Sequence, residues 1–176
     1  MIDIDIQFQP VIQALRDLAS SVEDRRELMA DLVGIMHGAV EDNFAAQGRP
    51  KWVDLHGGTI ASRTKTGHWP GQILQRSGQL AASVVPHSDN DQAVVGTNKV
   101  YAAIHQFGGT TKPHIIKPKF KRALAFGGVV VRQVKHPGSK IPARPFLSIT
   151  PEDGQEMVDV TWEFLWKRVD QAGGKV

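Results

Sequence analysis

Leu28, Leu32, Ile35, Met36, Ala39, Val40 and Phe44 recur at three- and four-residue steps, laying one apolar stripe along a helix over residues 22–47. The chain has no cysteine. A disulfide framework, a thiolate metal site and a cysteine nucleophile are therefore excluded, and stability must come from burying such stripes. Ser21 is the expected N-cap, with Asp24 three residues on, and Gly48 followed by Pro50 stops the helix. Val11, Ile12, Leu15 and Leu18 mark a shorter helix over 10–19, so the first 46 residues read as a helical pair. At the other end Thr150, Pro151, Glu152 and Asp153 supply a cap, an N1 proline and an acidic first turn. The helix they start, 152–172, places Met157, Val160, Phe164 and Leu165 on one face.

The middle of the chain reads differently. Residues 48–76 show no sustained period and are rich in Gly, Thr, Lys and His, which predicts a long loop, mobile in the free protein, with Trp52 and Trp69 as its anchors. SGQLAAS, opened by Ser77, predicts a helical turn or two. The β-favouring runs 83–86 and 93–97 flank HSDNDQ, a set of turn formers, and predict a hairpin. Residues 100–107 fit a short helix closed by Gly108 and Gly109. Two further apolar runs, 115–126 and 129–134, flank Gly127-Gly128 and predict a second hairpin, with Pro118 confining its strand to an edge or interrupting it. Lys117, Lys119, Lys121, Arg122, Arg132 and Lys135 make this hairpin, within 112–140, a basic arm. The expected fold class is α+β: N- and C-terminal helices packed on a central antiparallel sheet, with a long loop and a basic β-hairpin arm.

A length of 176 residues with 41% hydrophobic and 22% charged content suits one folded domain. No basic and then apolar leader stands at the N-terminus, and no apolar run nears the ~18 residues that span a bilayer, so a cytosolic setting without membrane contact is expected. The net charge of +3 conceals a segregation. Residues 1–46 hold 3 Lys/Arg against 9 Asp/Glu, residues 47–148 hold 15 against 3, and residues 149–176 hold 3 against 6. A basic middle between acidic ends follows from acidic helices flanking a basic sheet, or marks a surface that meets nucleic acid or an acidic partner.

Catalytic constellations are incomplete. The sequence contains no phosphate-binding loop, dinucleotide turn, nucleophile elbow or His-Glu-x-x-His. His56-Gly57-Gly58 matches a fragment of an oxyanion-hole motif but has no nucleophile elbow to serve. The histidines of the basic middle match no ligand spacing, and Asp54, Asp89 and Asp91 are the only carboxylates near them in sequence. Glu23-Asp24, Glu41-Asp42 and Glu152-Asp153 sit at helix ends, where solvation and the helix dipole explain them. Neither an enzyme nor a cofactor is expected. Cations on the arm, with Phe120 and Phe126 among them, suit sequence-neutral contact with phosphates or docking on an acidic protein, and a free nucleic-acid-binding protein is the alternative reading.

Three stretches in order carry a family likeness. They are Trp52 followed by Leu74-Gln75-Arg76-Ser77-Gly78-Gln79-Leu80 and Ser83; Val95-Gly96-Thr97-Asn98 with Tyr101-Ala102 and Ile104-His105-Gln106-Phe107-Gly108-Gly109; and Ile141-Pro142-Ala143-Arg144-Pro145-Phe146-Leu147. In this order the chain, over about residues 25–170, resembles the tailed-phage virion morphogenesis family, the Mu-like relatives of tail completion and head-tail joining proteins. The resemblance implies a structural protein without catalysis and an α+β fold. It further implies a homo-oligomeric ring, an expected hexamer, at the neck of the virion. Its implied neighbours are a connector or head-completion protein on one side and a tail terminator or tail tube protein on the other, with DNA passing through the lumen after assembly in the host cytoplasm. The loop at 48–72 and the hairpin at 112–140 depart from the family pattern and are the candidate arms. Tyr101, Ile104 and Phe107 fall at three-residue steps, which puts them on one helix face, with His105 beside Tyr101. Trp52, Tyr101, Phe107 and Phe146 are thus expected to be packing anchors.

Overall fold

A computed structural model describes residues 9–119, 122–126 and 129–173. Helix α1, Gln9–Ser21, leads into α2, Arg26–Ala45, which is the spine of the fold. The C-terminal helix α5, Pro151–Gly173, packs on α2 and α1, while the hairpin of β1, Val84–Ser88, and β2, Ala93–Thr97, covers another side of α2. Lys167 and Arg168 late in α5 reach Glu27 at the start of α2, and Arg49 just past α2 reaches Asp153 at the start of α5. The two helices therefore run antiparallel.

Local chemistry sets the ends of these helices. Thr150 and Asp153 form a reciprocal capping box, Thr150 N donating to Asp153 Oδ2 (2.8 Å) and Asp153 N to Thr150 Oγ1 (3.3 Å). Ser21, expected to cap α2, instead ends α1, its hydroxyl donating to the Leu18 carbonyl, and α2 begins only at Arg26. Ser21 lies too far ahead of that start to cap it, and the Asp24 carboxylate accepts from Arg26 N instead (3.3 Å). At the far end Gly48 N donates to the Asn43 carbonyl at φ 101, and a Cβ there would lie 2.5 Å from the Trp52 ring.

The core gathers at the C-terminal half of α2. Val40 and Phe44 meet Trp52, Ile73, Leu80, Val84, Ala102 and Phe146, with Phe146 wholly buried. Phe44 meets Trp52 edge-on (5.8 Å, 81°) and Phe146 at a tilt (5.4 Å, 38°). Beneath this cluster lies a polar hub. Asn43, also wholly buried, donates to the carbonyls of Phe146 (3.0 Å) and Ser148 (2.8 Å) and accepts from Arg49 Nε (3.0 Å). Arg49 in turn forks onto Asp153 (3.2 and 2.8 Å). One side chain in the apolar face of α2 thereby ties the segment after the helix to the irregular segment that leads into α5.

The α+β class holds, and among the described residues every strand pair is antiparallel, but the strands there form four two-stranded ladders rather than one central sheet. Three of the ladders nest. β3, Gly109–Thr110, pairs with β8, Lys140–Ile141; β4, His114–Ile116, with β7, Val134–His136; and β5, Leu124–Phe126, with β6, Val129–Val131. The described residues of 109–141 thus form one interrupted ribbon, and Phe126 pairs with Val129 on either side of Gly127-Gly128, the expected turn, which itself lies outside the described residues. The break after Ile116 falls at Pro118, which cannot donate to a ladder.

The loop read into 48–76 contains a helix, α3, Gly57–Lys65. Its glycines and threonines hide the 3.6 period, and its cap is unusual: His56 Nδ1 accepts from Gly58 N (3.1 Å). The flanking chain is tied to the core, since Ile73 N donates to Gln47 Oε1, Gln75 Nε2 to the Phe44 carbonyl, and Trp52 Nε1 to the Pro145 carbonyl. Trp69 is half-buried.

Candidate assembly site

The three stretches that carry the family likeness are far apart in sequence and meet in space. Helix α4, Ala102–Phe107, ends at Gly108, whose φ of 71 turns the chain into the ribbon; a Cβ there would lie 2.7 Å from the backbone N of Ala143. From α4, Gln106 clamps the third stretch: its Oε1 accepts from Phe146 N and Leu147 N (both 3.0 Å), and its Nε2 donates to the Leu147 carbonyl (3.1 Å). Arg144 N donates to the His105 carbonyl (2.7 Å). The Arg144 side chain then threads inward, Nε donating to the Val53 carbonyl (2.9 Å) and Nη2 to the Asp54 carbonyl (3.0 Å). A guanidinium 90 residues away thus fixes the segment that leads into α3.

These contacts border an open cavity of about 870 Å³. Its charged lining is Arg63 from α3, Arg76, Lys140 from β8 and Arg144, with Asp54 the one carboxylate. Leu55, Leu74, Leu80 and Ile141 are its apolar walls. Arg63 and Arg144 are buried, at 7% and 6% exposure, whereas Arg76 and Lys140 stand exposed at the rim. Arg63 donates to the Gln72 carbonyl (2.8 Å). Among the described residues none of these four cations forms an ion pair with a carboxylate.

The electrostatics are those of crowded positive charge. Burial disfavours the charged form of Arg63, and neighbouring Arg76 adds to that; burial and then Arg63 do the same to Arg144, with Asp54 opposing. His105 is held below the ordinary histidine range by burial first and Arg144 second. Its Nδ1 is buried without a hydrogen-bond partner, and its ring meets Tyr101 edge-on (6.1 Å, 80°).

Of the expected anchors, Trp52 and Phe146 sit in the core, but Tyr101 and Phe107 do not. Phe107 is 78% exposed and Tyr101 lines the cavity mouth, because α4 turns Ala102 inward and its aromatic face outward. Within YAAIHQFGG the residue that fastens the arm is Gln106, a polar side chain whose role depends on backbone 40 residues away. On the ribbon Lys117, Lys119, Arg122, Arg132 and Lys135 are all exposed, and Lys121 and Phe120 lie outside the described residues. The ribbon's base, not its basic tip, forms one wall of the cavity. No group of three or more His, Asp or Glu comes together in metal-binding geometry among the described residues.

The model of the phage virion morphogenesis family matches residues 6–165. The chain belongs to the phage virion morphogenesis family. Mu-like prophage FluMu G protein 2 of Haemophilus influenzae is 36% identical over 160 residues, covering 90% of this chain and 92% of the relative. Protein G of Escherichia phage Mu, named for capsid assembly, is 28% identical over 176 residues, covering 97% and 95%. No solved structure matches the chain. Its family membership makes the chain a virion morphogenesis protein. None of its described helices is long and apolar enough to cross a membrane.

Proposed function

We propose that this virion morphogenesis protein is a tail-completion or head-tail joining subunit: a non-enzymatic ring component, six copies to the ring, at the neck of the particle. The observation that carries the reading is the ribbon 109–141, an extended arm whose strands β4 and β6 are exposed nearly throughout and which is anchored at its root by Gln106 and Gly108. Arms of this kind suit a symmetric ring, where each subunit contact is modest and closure supplies the rest. The ring sits between the connector or head-completion protein and the tail terminator or tail tube protein. DNA passing its lumen would meet sequence-blind positive charge such as that of Lys117, Arg122, Arg132 and Lys135.

Inactivation of the gene in the phage tests this. Negative-stain microscopy of the lysate is expected to show filled heads and separate or unstable tails, with infectious titre lost. Normal infectious virions in the absence of the protein would contradict the assignment.

A further inference from the structure

We propose that the cavity lined by Arg63, Arg76, Lys140 and Arg144 is a carboxylate-binding socket, filled in the assembly by the acidic outer stripe of α5 from a second copy of this chain. This deepens the ring reading and rests on it. The socket has the features of an anion site: two guanidiniums nine-tenths buried, two exposed cations at the rim, one carboxylate among four positive side chains, and a buried imidazole nitrogen without a partner. Like charges gathered in a concave, partly desolvated place repel one another until an anion arrives.

The occupant follows from charge and shape. Glu152, Glu156, Asp159 and Glu163 are exposed and recur at steps of four, three and four, which puts them on one line of α5, and among the described residues none forms an ion pair. Trp162 and Trp166, 56% and 63% exposed, line a groove with Leu15 and Leu18 of α1 at the side of this stripe and add apolar area to bury. No residue of α1, α2 or α5 lines the socket, so the stripe and the socket are different surfaces of one subunit. A contact between unlike surfaces is head-to-tail, the kind that closes into a ring. Leucine and isoleucine walls beside the cations offer apolar surface that suits a protein side chain better than a phosphate backbone.

Sedimentation velocity on the full chain tests the contact with exposed substitutions that leave the core untouched. Wild type is expected to self-associate. Reversing the stripe (Glu156→Lys with Glu163→Lys) or the rim (Arg76→Glu with Lys140→Glu) should each weaken association about 100-fold. Combining all four reversals re-creates complementary surfaces and should restore association to within about tenfold. Far-UV circular dichroism checks that each variant is folded. A wild-type chain that stays monomeric up to about 1 mM overturns the proposal, as does association unchanged by either reversal or not restored by their combination. If the rim reversal instead abolishes binding of a duplex DNA probe while association persists, the socket holds phosphate and the proposal falls. In any of these failures, unjoined heads and tails in the gene-inactivated lysate would leave the neck assignment standing.

Discussion

Phe146→Ala is expected to destabilise the protein by about 3–5 kcal/mol, the range for deleting a buried aromatic ring whose site cannot collapse. Phe146 is wholly buried, packs on Phe44, and has both backbone groups engaged, its N–H by Gln106 and its carbonyl by Asn43. The backbone is therefore pinned on both sides and cannot move in to fill the void. Against a typical total of about 5–15 kcal/mol the loss is a large fraction. A urea titration would show the midpoint falling by ~1.5–2.5 M if the slope is near 2 kcal/mol/M. Phe107→Ala serves as the control. Its ring is mostly in solvent, so the midpoint should move by no more than about 0.5 kcal/mol worth of stability.

The second large effect is at Asn43. Asn43→Leu keeps the branched shape and heavy-atom count but is bulkier, and it leaves the buried carbonyl of Phe146 and the part-buried carbonyl of Ser148 and Nε of Arg49 without this partner. A cost of about 3 kcal/mol is expected from these stranded groups. Because Asn43 holds the Phe146 carbonyl, Asn43→Leu frees that backbone to move toward the void left by Phe146→Ala, so the double variant should lose less than the two single losses added together, and a double-mutant cycle in urea measures the coupling. Additive losses would show that the two residues act separately.

What the sequence displays well is what neighbouring residues decide. The stripe of α2, the Thr150–Asp153 box at α5, the turn of HSDNDQ and the Gly-Gly signal between Phe126 and Val129 are local, and each element appears where its signal lies. Helix α3 was illegible because Gly57, Gly58, Thr59 and Thr64 dilute its period and a histidine, not a standard capping residue, opens it. The site was illegible for a different reason. Arg144 gains its role from carbonyls at 53 and 54, and Gln106 from backbone at 146 and 147, so neither role exists until the chain has folded. The family likeness quoted both residues without explaining them. The exposed place of Phe107 shows the opposite error: three-residue spacing puts side chains on one face of a helix but does not say which way that face turns.

The most direct measurement is a cryo-EM map of the intact virion at the junction of head and tail. The expected result is a closed ring of this chain there, with the 109–141 ribbon of each copy reaching a neighbouring protein and α5 of one copy seated against Arg76 and Lys140 of the next. A map that places the chain away from that junction, or a finished particle from which it is absent, would contradict its role as a neck subunit.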